Sequence, residues 1–134
     1  MNKRFIKNLF TLCAIVISFN SFSSEKEITV YSSRTAHLIE PLLDEFTKDT
    51  GIKAKLLTGD GNALIERIKL EGRSTHADIF MTVDAGNLWY ASSQDIFQPM
   101  KSETVISNIP NHLRDPDNLW TGLSVRARTI VYST

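Results

Sequence analysis

One stretch of the sequence places polar side chains where an anion could bind. Ser33, Arg34 and Thr35 stand directly before an amphipathic helical pattern, and the free amide hydrogens at the amino end of a helix favour negative charge. The Arg34 guanidinium adds a rigid fork of donors that suits carboxylate, carbonate or phosphate. The alternative is that Ser33 or Thr35 simply caps the helix and that Arg34 is a solvated charge.

Later loops add further candidates. Gly59 and Gly61 could admit a ligand close to the backbone, but the segment matches neither a dinucleotide-binding nor a P-loop motif, which favours a plain turn. Asp84 is either a metal ligand or a helix cap, and the cap is favoured. Arg126 and Arg128 alternate along an extended pattern and therefore point to one side, where they meet an anion, an acidic partner or solvent.

Catalytic chemistry finds no support in the sequence. The serines lack the Gly-x-Ser-x-Gly context of a hydrolase nucleophile, and the histidines form no spaced metal pair. The three histidines are His37, His76 and His112. The aromatic residues Trp89, Tyr90 and Trp120 either line a ligand or, more commonly for such residues, belong to the core. We therefore expect a binding protein rather than an enzyme.

The first 23 residues have the three-part pattern of a cleavable export signal. Lys3, Arg4 and Lys7 precede an apolar run over residues 9–19, and small residues lead to a predicted cleavage after Ser23. The run is about half of the roughly 20 residues that a membrane-spanning helix needs. We therefore expect a periplasmic protein whose mature body covers residues 24–134.

The charge and cysteine content of that body exclude several classes. Three of the 15 Lys and Arg residues lie in the export signal, so 12 basic residues remain against all 15 acidic ones, a net charge of −3. This balance argues against general nucleic-acid binding. The single cysteine, Cys13, also lies in the signal, so the body has no disulfide and no thiolate metal site.

The body alternates strand and helix patterns. Strands are predicted at residues 28–31, 53–57 and 77–83, the last covered on both faces, with two more at 120–123 and 129–132. Helices are predicted from His37 or Leu38 to Gly51 with Pro41 in the first turn, from the turn at residues 59–62 to Gly72, and over residues 85–92. Five apolar residues should share the buried face of the first helix, and Leu64, Ile65 and Ile68 that of the second. Those five are Leu38, Ile39, Leu42, Leu43 and Phe46. Leu88 and Trp89 should face the core from the third.

This alternation predicts an α/β fold. Repeated strand–helix–strand units give a parallel sheet with helices on both faces. Ligands bind outside the carboxyl ends of such strands, so the loops after Tyr31, Leu57 and Val83 should form one rim. The binding site is therefore expected at that rim.

Seven segments, taken in order, resemble the bacterial ferric-iron-binding periplasmic proteins. They are Tyr31-Ser32-Ser33-Arg34, Gly51-Ile52-Lys53, Leu64-Ile65-Glu66-Arg67-Ile68, Ala77-Asp78-Ile79, Thr82-Val83-Asp84-Ala85-Gly86, Leu113-Arg114-Asp115-Pro116 and Leu123-Ser124-Val125-Arg126-Ala127-Arg128. The resemblance implies the first lobe of a type II-like periplasmic binding protein, truncated near its first hinge strand and lacking the second lobe. It further implies capture of Fe(III) with a synergistic anion such as carbonate, delivery to an ABC-type inner-membrane permease, and a monomer without covalent cofactors.

The resemblance also implies which iron ligands this lobe lacks. Many members place His or His-Tyr after the Tyr-Ser-Ser-Arg stretch, where this sequence has Thr35-Ala36, and others place Glu where it has Val83. The main tyrosine ligands belong to the second lobe. This lobe is therefore expected to supply anion contacts, chiefly Arg34 and the amides of residues 33–35. A receptor for another small anion in the same fold and a nonfunctional truncated remnant are the alternatives.

Overall fold

The computed structural model describes residues 26–126 and 129–132. The predicted export signal and Arg128 lie outside these residues. The elements follow in the order β1 (Glu27–Ser32), α1 (Ala36–Thr50), β2 (Lys53–Thr58), α2 (Gly61–Glu71), β3 (Ile79–Met81), α3 (Ala85–Ser92) and α4 (Glu103–Asn108). Short 3-10 turns occupy Gly72–Ser74 and Asn111–Leu113. Across the described ranges, no helix combines the length and apolar character needed to cross a bilayer.

The three strands form a parallel sheet in the order β2-β1-β3. Val30 of β1 is in register with Leu56 of β2 on one side and with Ile79 of β3 on the other. Because β1 is hydrogen-bonded on both sides, it is the most buried strand, and Val30, Tyr31 and Ser32 are almost wholly inaccessible. The predicted parallel α/β fold is confirmed.

Successive residues of β1 point to opposite faces of the sheet, and each face is covered by one helix. Val30 packs with Ile39 and Leu43 of α1. Tyr31, on the other face, packs with Leu64 and Ile68 of α2. Burying each large apolar side chain contributes about 1.5–3 kcal/mol. The expected arrangement of helices on both faces is confirmed.

The first helix differs from its prediction in two ways. It begins at Ala36, so Pro41 lies in the second turn rather than the first. Pro41 has no amide hydrogen to donate to the carbonyl of His37. Because His37 lies on the exposed side of the helix, water can replace the missing donor. Leu38 and Leu42 remain 54% and 50% exposed while Ile39 and Leu43 are buried. The predicted apolar face was too wide, because the sheet contacts only one side of the helix.

The third strand is shorter and more exposed than predicted. Only Ile79–Met81 pairs with β1, and Ile79 retains 43% of its accessible surface. Met81 packs against the cluster on the α1 side of the sheet and Phe80 against the cluster on the α2 side, so both faces of the strand make contacts. The predicted coverage does not extend to Ile79, because β3 is at the edge of the described sheet. A run of apolar residues does not distinguish an edge strand from a central one.

Two further strands were predicted in the segment after α3. The structure instead forms α4 and the second 3-10 turn there. Of the predicted strand at 120–123, only an isolated bridge between Thr121 and Arg114 is present, and residues 129–132 form no strand. Ile130 is 94% exposed. Strand-forming side chains are not sufficient without a neighbouring strand to complete the ladder.

Candidate functional site

The loops that leave the three strands meet at one rim of the sheet. The Ser33 amide donates to the Met81 carbonyl at 2.9 Å, which joins the loops after β1 and β3. The Gly59 amide donates to the Ser32 carbonyl at 3.1 Å, which joins the loops after β1 and β2. The predicted shared rim is therefore confirmed.

A polar network connects two of these loops. The Ser33 hydroxyl donates to Oγ1 of Thr82 at 3.0 Å, and Nδ2 of Asn87 donates to the same oxygen at 3.1 Å. All three side chains are partly buried. Sequence reasoning proposed Ser33 but missed Thr82 and Asn87. The available signal was the position of Thr82, directly after the carboxyl end of β3.

Arg34 lies beside this network on a fixed turn. Its amide donates at 3.1 Å to Oγ of Ser32, a fully buried side chain. The Arg34 side chain is half-buried, and in the described part of the chain no carboxylate lies within ion-pair distance of it. A guanidinium without a carboxylate partner is suited to an external anion.

The alternative assignment of Ser33 or Thr35 as helix cap is not realised. Thr35 occupies the residue before α1, but its side chain makes no capping hydrogen bond. The Ser33 hydroxyl is bonded to Thr82 instead. The amino end of α1 therefore lies next to Arg34 without a side-chain cap.

The structure gives Gly59 and Asp84 structural roles. A side-chain carbon at Gly59 would lie 3.3 Å from Leu64, so the glycine permits close packing at the start of α2. Oδ1 of Asp84 accepts a hydrogen bond from the Asn87 amide at 2.9 Å, which is the predicted helix cap. Asp60 caps α2 in the same way, by accepting from the amides of Asn62 and Ala63.

Arg126 is not brought to the rim by any contact in the structure. It is exposed and makes no hydrogen bond or ion pair with other described residues. Its neighbour Val125 is exposed as well. The interpretation of Arg126 as an anion ligand stays a prediction.

Tyr31 is the aromatic residue nearest to the rim along the chain, but it faces the core. Its hydroxyl donates to Oε1 and Oε2 of Glu71 at 3.1 and 3.2 Å, and the Arg67 guanidinium lies 5.2 Å from the ring centre. Burial, followed by the hydrogen bond to Glu71, raises the pKa of Tyr31. Tyr31 is therefore not an accessible phenolate ligand.

Glu71 carries most of this second network. It accepts from Nε of Arg67 at 2.6 Å and from the Thr75 hydroxyl at 2.8 Å. The hydrogen bond from Arg67, followed by that from Thr75, lowers the pKa of Glu71 to about 2. Sequence reasoning did not identify Glu71, because two of its partners, Tyr31 and Thr75, lie outside α2.

The aromatic residues do not form a common wall. Trp89 is 69% exposed, which contradicts its predicted position in the core, and Leu88 is half-buried. The α3 helix contacts α2 over one narrow side, so its other side faces solvent. Tyr90 donates to Glu66 at 3.1 Å, and Trp120 is half-buried in the segment after α4.

The described ranges contain no group of three or more His, Cys, Asp or Glu side chains arranged to hold a metal ion. His37 lies in α1, His76 precedes β3 and His112 lies in the second 3-10 turn. The rim therefore offers hydrogen-bond donors and a positive charge rather than a set of metal ligands.

The known proteins that resemble this chain in sequence and in structure belong to one family. No family model matches the chain. The chain is 45% identical over 109 residues to iron uptake protein A1 of Synechocystis, covering 81% of this chain and 30% of that protein. It is 31% identical to the major ferric iron-binding protein of Neisseria gonorrhoeae, covering 81% and 33%. It thus spans about a third of the length of these relatives.

Solved structures agree with the sequence relatives. The Trichodesmium protein (IdiA) (FutA) in complex with iron and citrate superposes with a TM-score of 0.69 at 51% identity, covering 72% of this chain and 30% of that one. The open ferric iron-binding protein A of Mannheimia haemolytica superposes with a TM-score of 0.70 at 40% identity, covering 73% and 31%. In sequence and in fold, the chain belongs to the family of bacterial ferric-iron-binding periplasmic proteins.

Proposed function

We propose that the protein is the solute-binding component of a periplasmic ferric iron importer. It captures Fe(III) together with a synergistic anion and delivers it as a monomer to an ABC-type permease in the inner membrane. The relatives named for iron uptake and ferric iron binding support this function. The described α/β unit is one lobe of the receptor, and it closes on the ligand against a second lobe.

The observation that carries the proposal is the set of donors at the rim. Arg34, with no carboxylate partner among the described residues, follows Ser33, which is joined to Thr82. Fe(III) prefers oxygen ligands, and a bound anion can complete its coordination. This lobe therefore holds the anion, and the protein ligands of the iron come from the second lobe. Carbonate and citrate are both anions that such donors can bind, and citrate accompanies iron in the Trichodesmium relative.

A receptor for a small anion without iron is the second candidate function. It is favoured by the lack of a metal-ligand group in the described parts of the chain. The two functions share the rim and differ in whether iron increases the affinity.

Calorimetric titration of the complete receptor, which includes the second lobe, with citrate and with ferric citrate separates them. For the iron importer, ferric citrate should bind more tightly than citrate, and Arg34→Ala should weaken both by roughly ten- to hundredfold, the value of a charge-assisted hydrogen bond. Arg73→Ala is the matched control, because Arg73 is an exposed arginine in the 3-10 turn after α2. Equal affinities for the two ligands would favour the anion receptor. Absence of binding to either, or equal effects of the two arginine variants, would contradict the assigned site.

A further inference from the structure

We propose that Asn87 is a positioning residue that makes the Ser33–Thr82 pair a hydrogen-bond donor toward the bound anion. The inference rests on the proposed function, because it requires an anion at the rim. It adds a residue that acts through a neighbour rather than by contact with the ligand. The observation behind it is the amide nitrogen of Asn87, which donates to Oγ1 of Thr82 at 3.1 Å.

The argument counts the hydroxyl protons of Ser33 and Thr82. The bond between these two hydroxyls, 3.0 Å long, uses one of the two protons. The side-chain N–H of Asn87 donates to Oγ1 of Thr82, so Asn87 does not accept the second hydroxyl proton. In the described residues the second hydroxyl proton has no acceptor. Whichever hydroxyl donates to the other, one O–H therefore stays free to bond an oxyanion, which can only accept.

Two contacts fix the position of the Asn87 side-chain amide. The backbone N–H of Asn87 donates to Oδ1 of Asp84 at the start of α3. Its Nδ2 lies over Gly61, where an added side-chain carbon would be only 2.7 Å away. Such a separation is far inside van der Waals contact, so any larger residue at position 61 must displace the Asn87 amide. Gly61 thus has a steric role that a plain turn would not require.

The orientation of the Asn87 amide determines the chemistry. With nitrogen toward Thr82, the network donates outward and favours a carboxylate, carbonate or phosphate. A carboxylate at position 87 would instead accept the Thr82 proton, Thr82 would accept the Ser33 proton, and none would remain for a ligand. The substitution Asn87→Asp therefore removes the donor while keeping the shape of the side chain.

The test is calorimetric titration of the full chain with citrate. Asn87→Asp should weaken binding at least tenfold, about the contribution of one hydrogen bond to a charged group. The control Asn108→Asp makes the same change on α4, where the Asn108 side chain bonds only the Thr104 carbonyl of its own helix. Gly61→Ala adds no charge and should also weaken binding, because a displaced Asn87 amide no longer holds Thr82 and the free O–H loses its orientation toward the anion.

Two measurements distinguish the lost donor from charge repulsion. The loss in Asn87→Asp should persist in 1 M salt, where repulsion is screened within about 3 Å. It should also shrink in a Thr82→Val background, because Asn87 acts through Thr82. Melting temperatures confirm that each variant is folded.

The outcomes separate this inference from the proposed function. If the unmodified chain does not bind citrate, both fail. If it binds citrate and loses affinity in Arg34→Ala, but Asn87→Asp and Gly61→Ala bind as well as it does, only the inference is overturned. A loss in Asn87→Asp that disappears in 1 M salt, or that is unchanged in the Thr82→Val background, also overturns it.

Discussion

The hydroxyl of Tyr31 lies 3.1 Å from Oε1 of Glu71, and this hydrogen bond ties the central strand to the last residue of α2. Tyr31 directly precedes Ser32, whose buried hydroxyl holds the turn that carries Arg34. The rim loop therefore starts from a strand that is fixed by packing and by a polar anchor in the core.

Removing the Tyr31 hydroxyl should break its hydrogen bond to Glu71 without creating a cavity. We expect Tyr31→Phe to lower the free energy of unfolding by about 1 kcal/mol, the net value of a typical hydrogen bond. Urea denaturation monitored by circular dichroism measures the change. Tyr90→Phe is the control, because Tyr90 bonds Glu66 at the surface and should have a smaller effect. Equal effects of the two variants would show that the Tyr31–Glu71 bond does not stabilise the fold.

The same network predicts how stability depends on pH. The pKa of Glu71 is lowered from 4.5 to about 2 in the folded protein. A depressed carboxyl pKa stabilises the fold above the unfolded value and loses that effect as the pH falls through the folded value. The urea midpoint should therefore fall from pH 4.5 toward pH 2, and Glu71→Gln should make this fall shallower.

Glu45→Gln provides the control for that titration. Glu45 pairs only with the exposed Lys48 on the surface of α1, and such pairs contribute little. Its pH profile should match that of the unmodified protein. A Glu71→Gln profile as steep as that of the unmodified protein would contradict the assigned role of Glu71.

The helix faces, ends and caps that depend on nearby residues could be predicted from the sequence. Leu64, Ile65 and Ile68 are buried on α2 as their spacing predicted, and Gly72 ends that helix. Asp84 caps α3, as its position before the helix indicated. These features depend on residues within one or two turns, which the sequence displays directly.

Features that depend on distant strands could not be predicted in this way. Thr82 meets Ser33 across 49 positions only because β3 lies beside β1 in the sheet. The exposure of Ile79 follows from the same order, in which β3 is at the edge of the described sheet. Hydrophobic periodicity gives the faces of an element but not its neighbours.

The end of α1 gives a test of backbone strain. Gly51 has a φ of 69°, and its amide donates to the Thr47 carbonyl at 2.8 Å. An added side-chain carbon would meet no atom within 4 Å, so any cost of Gly51→Ala comes from the backbone conformation. We expect a loss of about 1 kcal/mol in Gly51→Ala and a smaller one in Gly51→Asn, because Asn tolerates the left-handed region. Equal losses in urea denaturation would contradict this explanation.

The position of Asp84 at the rim allows its two interpretations to be separated by substitution. As a cap it needs only an oxygen that accepts from the Asn87 amide, which Asn also provides. We expect Asp84→Ala to lower the free energy of unfolding by about 1 kcal/mol and Asp84→Asn to change it by far less. Asp60→Ala, at the corresponding cap of α2, is the control for stability.

Ligand binding completes this comparison. As a cap, Asp84 should allow Asp84→Asn to bind ferric citrate with unchanged affinity, since the Asn87 amide stays in place. Asp84→Ala should weaken binding of both citrate and ferric citrate, because the start of α3 loosens around Asn87. A selective loss of ferric citrate affinity in Asp84→Asn, at unchanged stability and unchanged citrate affinity, would instead identify Asp84 as an iron ligand. That result would also move part of the iron coordination onto this rim.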